Sequence, residues 1–191
     1  MDDTQQKIID AAMALVRDKG YVATTTKEIA KMAGVNECTL FRRFESKKDI
    51  VLQGMEQEKW RANVTPDIFQ GIRWELRADL EMFMTEYMRR MTPDFVRLSI
   101  GLRAPQIYEQ TAPIIMRVPQ VFMDALNAYF RQMAEKKKLP DRDYEALTLL
   151  IFSSTFGFTF LNASFDQALV TVEREQYIQV AVETFVKALT V

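Results

Sequence analysis

Apolar positions recur three and four residues apart along almost the whole chain, and no stretch alternates in the way a half-buried strand requires. Ile8, Ile9, Ala12, Leu15 and Val16 form one stripe over residues 4–19, and Gly20 ends it. Ile29, Ala30 and Ala33 form a second, shorter stripe, and Leu40 with Phe44 a third. A fourth helix begins near Ser46, a cap with Asp49 at its third position, and runs toward Trp60 or Ala62. Asn63 to Pro66 breaks it, because Pro66 disfavours a helical residue before it. Leu76, Leu80, Phe83, Met84, Tyr87, Met88 and Met91 predict a helix over 71–91. Thr92-Pro93 then opens a shorter one through Val96 and Leu98, and Pro105 and Pro113 punctuate a broken region. The next helix carries Pro119 early and closes on Lys136 to Lys138, whose cations suit a helix C-terminus. After the turn Leu139-Pro140-Asp141, two helices remain, over 142–165 and 172–189; the last has the stripe Ile178, Ala181, Val182, Phe185, Val186 and Leu189.

Composition narrows this all-α picture. Hydrophobic residues make up 48% of the 191-residue chain, enough for a sizeable core, and its net charge is −1. That near-zero charge hides a local excess: residues 21–48 hold six basic and three acidic side chains, a net of +3. The chain has no His and one Cys, which removes the commonest general base, most zinc sites and any intrachain disulfide. It reads as a non-enzyme with no cofactor and no metal. The single Cys and the acidic, polar start MDDTQQKIID suit a reducing cytoplasm, and no membrane partner is expected. Residues 146–165 lack charge, but their Ser, Thr, Asn and Gly are too many for a span; a helix buried in a core and a subunit interface explains them better.

The local excess of charge coincides with two short helices joined by a turn. Thr26 reads as the cap of the first, Gly34 as its stop, and Asn36 as the cap of the second. With Leu40 and Phe44 inward, Glu37, Thr39, Phe41, Arg42 and Arg43 are left to face out. A Gly-containing turn followed by a helix with a polar, basic outer face is the geometry that enters a DNA major groove. Arg42 suits a bidentate pair with guanine, and Arg43 suits either guanine or phosphate. Thr39 suits phosphate or a thymine methyl; Glu37 suits cytosine or solvent. Thr25, Thr26 and Lys27 stand at a helix N-terminus, where hydroxyls and amides meet phosphate.

The stretch Thr25-Thr26, Ile29-Ala30, Ala33-Gly34-Val35, Thr39-Leu40-Phe41, Phe44 and Ser46-Lys47 resembles the TetR family of transcriptional repressors. The resemblance is close over the first quarter of the chain; the rest matches in length and helical layout. It implies a three-helix DNA-binding domain over residues 1–50 and a larger helical domain over 51–191 for effector binding and dimerisation, about nine helices together. It also implies phosphate contact at Thr25 or Thr26 and at Lys47. Relatives often carry Tyr at Phe41 and His at Arg43; Phe41 offers only apolar contact to sugar or methyl, while Arg43 adds a fixed charge. Cys38 stands on the reading helix, either as a small residue or as a thiol whose oxidation blocks docking.

The implied effector pocket falls among soft and aromatic side chains, of which the chain has 11 Met and 13 Phe. Phe83, Met84, Tyr87, Met88, Met91, Phe95, Tyr108, Met116, Phe122, Met123, Phe152 and Phe156 are the candidates, with the pocket between the helix of Phe83–Met91 and that of Phe122–Met123. Glu86, Asp94 and Glu109 are acidic groups available to a cationic effector. One recognition helix reads too few base pairs to find a genomic site, so a homodimer on a palindromic operator is required. Phe158, Leu161, Ile178, Val182, Phe185 and Leu189 are its expected interface, as a four-helix arrangement. The expected partners are therefore double-stranded operator DNA, a small-molecule effector and a second copy. The rival readings are a helical adaptor, against which the outward basic pair argues, and an enzyme with an appended helix-turn-helix.

Overall fold

The computed structural model describes residues 2–60, 71–165 and 168–190. These form nine α-helices and a 3-10 turn: α1 (Asp3–Ala23), α2 (Thr26–Ala33), α3 (Glu37–Arg43), α4 (Lys47–Glu56), the turn Glu58–Trp60, α5 (Leu76–Arg90), α6 (Pro93–Gly101), α7 (Tyr108–Glu135), α8 (Glu145–Phe165) and α9 (Arg174–Thr190). The chain packs as two compact units, Met1–Asn63 with Asp94–Met116, and Val64–Pro93 with Arg117–Val191. The division expected after residue 50 falls inside α4, and the boundary at 116/117 falls inside α7.

The first unit is built on local signals that the sequence carries. Asp2 caps α1 in a reciprocal box with Gln5. Gly20, at φ 82°, interrupts α1 where the stripe ends. Gly34 closes α2 in the left-handed region, Asn36 caps α3 through the Thr39 amide, and Ser46 caps α4 through that of Asp49. Ile8, Ile9, Ala12, Met13 and Val16 meet Ile29, Leu40, Phe44, Ile50 and Val51 in one core, joined by Leu98, Leu102 and Ile107. Apart from Ala12, each such side chain contributes about 1.5–3 kcal/mol on leaving water. At Gly101 an added Cβ would stand 2.3 Å from the Val16 carbonyl oxygen, so α6 lies backbone to backbone on α1 there.

Two expectations in this unit are corrected. Thr25, not Thr26, caps α2: its hydroxyl accepts from the Glu28 amide, and the Glu28 carboxylate accepts from the Thr25 amide. The fourth helix stops at Glu56 instead of running to Trp60 or Ala62. Trp60 Nε1 donates to Asp10 at 3.2 Å and Lys59 pairs with the same carboxylate at 3.0 Å, which draws the chain back onto α1. The break expected at 63–66 lies outside the described residues.

In the second unit α5 begins at Leu76 rather than Gly71. The Asp79 carboxylate, 1% exposed, accepts from the Arg73 and Glu75 amides and from the Tyr129 hydroxyl, holding 71–75 as a loop with Trp74 at φ 61°. α7 ends at Glu135, and of the lysines that follow, Lys136 covers the Trp74 ring at 4.5 Å and Lys138 donates to the Trp74 carbonyl at 2.7 Å. The region expected to be broken at Pro113 is helical: both Pro113 and Pro119 lie within α7. The run Val118, Phe122, Leu126, Tyr129, Phe130 and Met133 is buried at helical spacing, so packing outweighs what each proline costs the backbone. The last two helices begin at Glu145 and Arg174, two or three residues later than expected.

A larger correction concerns α9. Ile178, Val182, Phe185 and Leu189 are 4%, 2%, 8% and 0% exposed within the single chain, where α9 packs on α5. Their stripe therefore belongs to the chain's own core and not to a face free for a second copy. Phe158 is half-buried, stacked on Tyr177 at 4.4 Å, while Leu161 remains 38% exposed. The other faces of α8 and α9 leave Leu149, Leu150 and Val180 at 54%, 57% and 61% exposed.

Candidate functional site

The turn between α2 and α3 positions the candidate reading surface. Leu40 and Phe44 anchor α3 in the core, so the opposite side of the helix carries Cys38, Phe41 and Arg42 into solvent. Phe41 is 52% exposed and Cys38 is a free, exposed thiol. Arg42 makes no ion pair with any described residue, nor do the exposed Lys27 and Lys31 or the half-buried Lys48. These are the cations of this surface left without a protein counter-charge.

The other expected contacts are partly engaged within the protein. The Thr26 hydroxyl donates to Glu37 at 2.8 Å, tying the first turn of α2 to the first turn of α3. Thr25 hydrogen-bonds Glu28, whose carboxyl is held at about 2, first by the Lys19 ammonium and then by Thr25. Asn36 is occupied as a cap, and Thr39 is half-buried. Arg43 pairs with Asp2 at the start of α1, and its Nε is buried without a partner. Lys47 donates to the Tyr21 and Thr24 carbonyls at 2.7 and 2.5 Å and lies 4.1 Å from the Tyr21 ring, so it fastens the end of α1; burial pulls its ammonium below the usual lysine range. The sequence singled out Arg43 and Lys47 by position, but the groups that engage them, the Asp2 carboxylate and the Tyr21 and Thr24 carbonyls, are distant in sequence. Lys48, given less weight there, is the less engaged of the lysine pair.

Among the described residues of the second unit, a gap and a cleft lie along the seam of α5 and α8. A gap lined by Phe83, Met84, Tyr87, Phe122, Leu126, Ile151, Phe152 and Thr155 falls where the sequence expected a pocket, but it is closed to about 10 Å³. Next to it lies an open cleft of about 620 Å³, within the range of small-molecule sites. Met88, Met91, Phe158, Thr159, Asn162 and residues 170–175 line it. Of the expected pocket residues, five line the gap and two the cleft; Met123 and Phe156 are half-buried, and Phe95, Tyr108 and Met116 pack in the first unit, the last two 44% and 55% exposed. Thr159 and Asn162 were missed as lining residues, since they are two among many polar residues of α8. Glu86 is bound by Arg89 and then Arg90, which hold its carboxyl at about 2; Asp94 pairs with Arg97 and Arg17. Glu109 is exposed.

A helix-turn-helix with an uncompensated basic face, carried on a helical chain with a small-molecule-sized cleft, defines a DNA-binding regulator. Residues 8–53 match the family model described as bacterial regulatory proteins, tetR family. The chain is 27% identical to the uncharacterized HTH-type transcriptional regulator YvkB of Bacillus subtilis (strain 168), over 100% of this chain and 99% of that one. It is 27% identical to the biofilm operon icaADBC HTH-type negative transcriptional regulator IcaR of Staphylococcus aureus (strain Newman), over 90% of each. The fold matches that of the Bacillus subtilis transcriptional regulator FadR, solved in complex with stearoyl-CoA, with a TM-score of 0.66 at 17% identity, covering 96% of this chain and 98% of that one. The first quarter of the chain thus carries the helix-turn-helix domain that this family model describes, and along its whole length the chain is similar to helix-turn-helix transcriptional regulators.

Proposed function

We propose that this regulator is a repressor that binds a palindromic operator as a homodimer and is released by a small, largely apolar effector. Residues 1–50 read the DNA, and residues 51–191 bind the effector and pair the subunits. The observation that carries the reading is Arg42, exposed and unpaired on the outer side of α3 between anchored Leu40 and Phe44. Arg42 reads a guanine edge; Phe41 and Cys38 beside it offer apolar contact; Lys27 and Lys48 meet phosphate. Thr25, Thr26 and Asn36 shape the helix starts, and Glu37, fixed by Thr26, orients α3. Lys47 and Arg43 hold the ends of the unit together and reach phosphate only on leaving their present partners.

Dimerisation rests on apolar surface. The most apolar window of α8, long and apolar enough by length and composition to cross a membrane, is only 28% buried in the single chain. Together with Leu149, Leu150, Leu161 and Val180 this leaves a face that a second copy covers, in place of the buried stripe of α9. Repression is supported by IcaR, a named negative regulator, and ligand response by the cleft and by the stearoyl-CoA bound in FadR. Anisotropy titration of labelled duplex from upstream of the protein's own gene, at two salt concentrations, tests the reading. Selective binding that weakens steeply with salt is expected; no preference over scrambled DNA, followed by failure to enrich any sequence from random duplexes, would refute it.

A further inference from the structure

Arg43 follows the exposed Arg42 at the end of α3 and, unlike it, has its charge met by another described residue. Its Nη1 donates to Asp2 Oδ2, and the two side chains are 27% and 49% exposed, so solvent reaches the pair. The carboxylate engages a single corner of the guanidinium. Among the described residues, Arg43 Nε is the buried side-chain nitrogen or oxygen left without a hydrogen-bond partner. A guanidinium fork suits an acceptor that takes two donors at once, and Asp2 leaves this one idle. Arg43 is therefore held in place but incompletely satisfied.

Asp2 is fixed on its own side. Its Oδ1 accepts from the Gln5 amide at 2.8 Å, and its own amide donates to Gln5 Oε1 at 3.1 Å, the reciprocal box that starts α1. The cap sets the side chain, so Oδ2 is presented to Arg43 without the ordering cost that weakens most surface pairs. The Gln5 amide above all, with Arg43 adding to it, holds the carboxyl below its usual range, so it is charged at neutral pH. The next acid, Asp3, turns elsewhere: it pairs with Lys7 at 2.6 Å, its side chain 81% exposed. A carboxylate on an arginine of the reading helix offers the charge and the acceptor that a DNA phosphate would offer. We propose that Asp2 stands in for a phosphate at Arg43, and that this competition sets how tightly, and how steeply with salt, the domain binds any duplex. For DNA to take Arg43, the pair must part and the freed carboxylate takes up a cation; if the pair stays, one phosphate contact is forgone. Either way Asp2 subtracts about one ion per subunit from the counterion release that drives binding. A phosphate carries no sequence, so the effect falls alike on operator and scrambled DNA, unlike a change at Arg42. Asp2 is thus a positioning residue that acts on DNA binding through Arg43.

This role rests on the reading of the first domain as DNA-binding, and the test separates the two. Asp2→Asn removes the charge and keeps the cap, because Asn and Asp cap about equally well. Asp3→Asn removes the same charge one residue away and controls for net charge. The full-length proteins, with and without Arg43→Gln, are titrated by anisotropy over a range of salt. The probes are a labelled scrambled duplex and the duplex from upstream of the protein's own gene. Asp2→Asn is expected to tighten binding to both about two- to fivefold per subunit, the worth of an exposed ion pair, and to steepen the salt slope by about one. Asp3→Asn is expected to do less on both counts, and in the Arg43→Gln background Asp2→Asn is expected to gain no more than Asp3→Asn. Equal effects of Asp2→Asn and Asp3→Asn, a gain that survives Arg43→Gln, or a gain confined to one duplex would each overturn the competition. Asp2→Ser, a second neutral cap, takes the place of Asn if thermal melting shows that Asn disturbs α1. If the parent binds and neither neutral variant differs from it, only the role of Asp2 falls. If parent and variants all fail to bind either duplex at low salt, the DNA-binding reading falls, and the role of Asp2 with it.

Discussion

Gly101→Ala puts the packing of α6 on α1 to a direct test. The new methyl would stand 2.3 Å from the Val16 carbonyl oxygen and 3.3 Å from the Gly20 Cα, so relief requires the two backbones to separate by about an ångström. No flexible side chain can yield instead, because the nearest atoms are all main chain. Overpacking of this kind costs about 1–3 kcal/mol, against at most about 1 kcal/mol regained from replacing glycine in a helix. The net destabilisation of about 1–2 kcal/mol corresponds to a fall of roughly 2–8 °C for a chain of this size. Gly157→Ala is the control: nothing lies within 4 Å of its added Cβ in the middle of α8, so it is expected to raise stability by about 0.5–1 kcal/mol. Thermal scans by circular dichroism at two protein concentrations measure both. A Gly101→Ala protein that melts at or above the parent temperature would refute the close backbone contact. A concentration-dependent loss in Gly157→Ala would instead put that position against a second subunit.

Three further outcomes are expected. Arg42→Ala should lower affinity for a selected operator by about 1–3 kcal/mol and relax preference at one base pair, whereas Lys48→Ala should weaken all duplexes alike and reduce the salt slope by about one; anisotropy on single-base variants distinguishes the two patterns. Val180→Glu should yield folded monomers in sedimentation, while Phe185→Glu, which buries a charge in the chain's own core, should lose helical signal; the reverse pattern would return the interface to the buried stripe. Asp79→Ala leaves the Arg73 and Glu75 amides and the Tyr129 hydroxyl without their acceptor and should cost about 3 kcal/mol or more, read from denaturant titration.

The reading head was legible because its signals are short-range. A cap and the amide it serves are three residues apart, as with Asn36 and Thr39 or Ser46 and Asp49, and Gly34 announces its own left-handed turn. Where a local signal competed with a neighbour of similar chemistry, as Thr25 with Thr26, the sequence missed by one residue.

The charges were harder to read, since exposure on a helix wheel says nothing of what approaches from elsewhere. Arg43 meets Asp2 across 41 residues of sequence and Lys47 meets Tyr21 across 26, and both leave the free surface for that reason.

The amino-acid sequence alone determined an all-helical chain and a helix-turn-helix near its start, because periodicity and capping act within one or two turns. Only the tertiary structure decided that the stripe of α9 faces α5, that prolines 113 and 119 ride inside one helix, and that the expected pocket is closed to a narrow gap. An apolar stripe specifies that it must be covered but not by what; the choice belongs to packing between residues far apart in the chain.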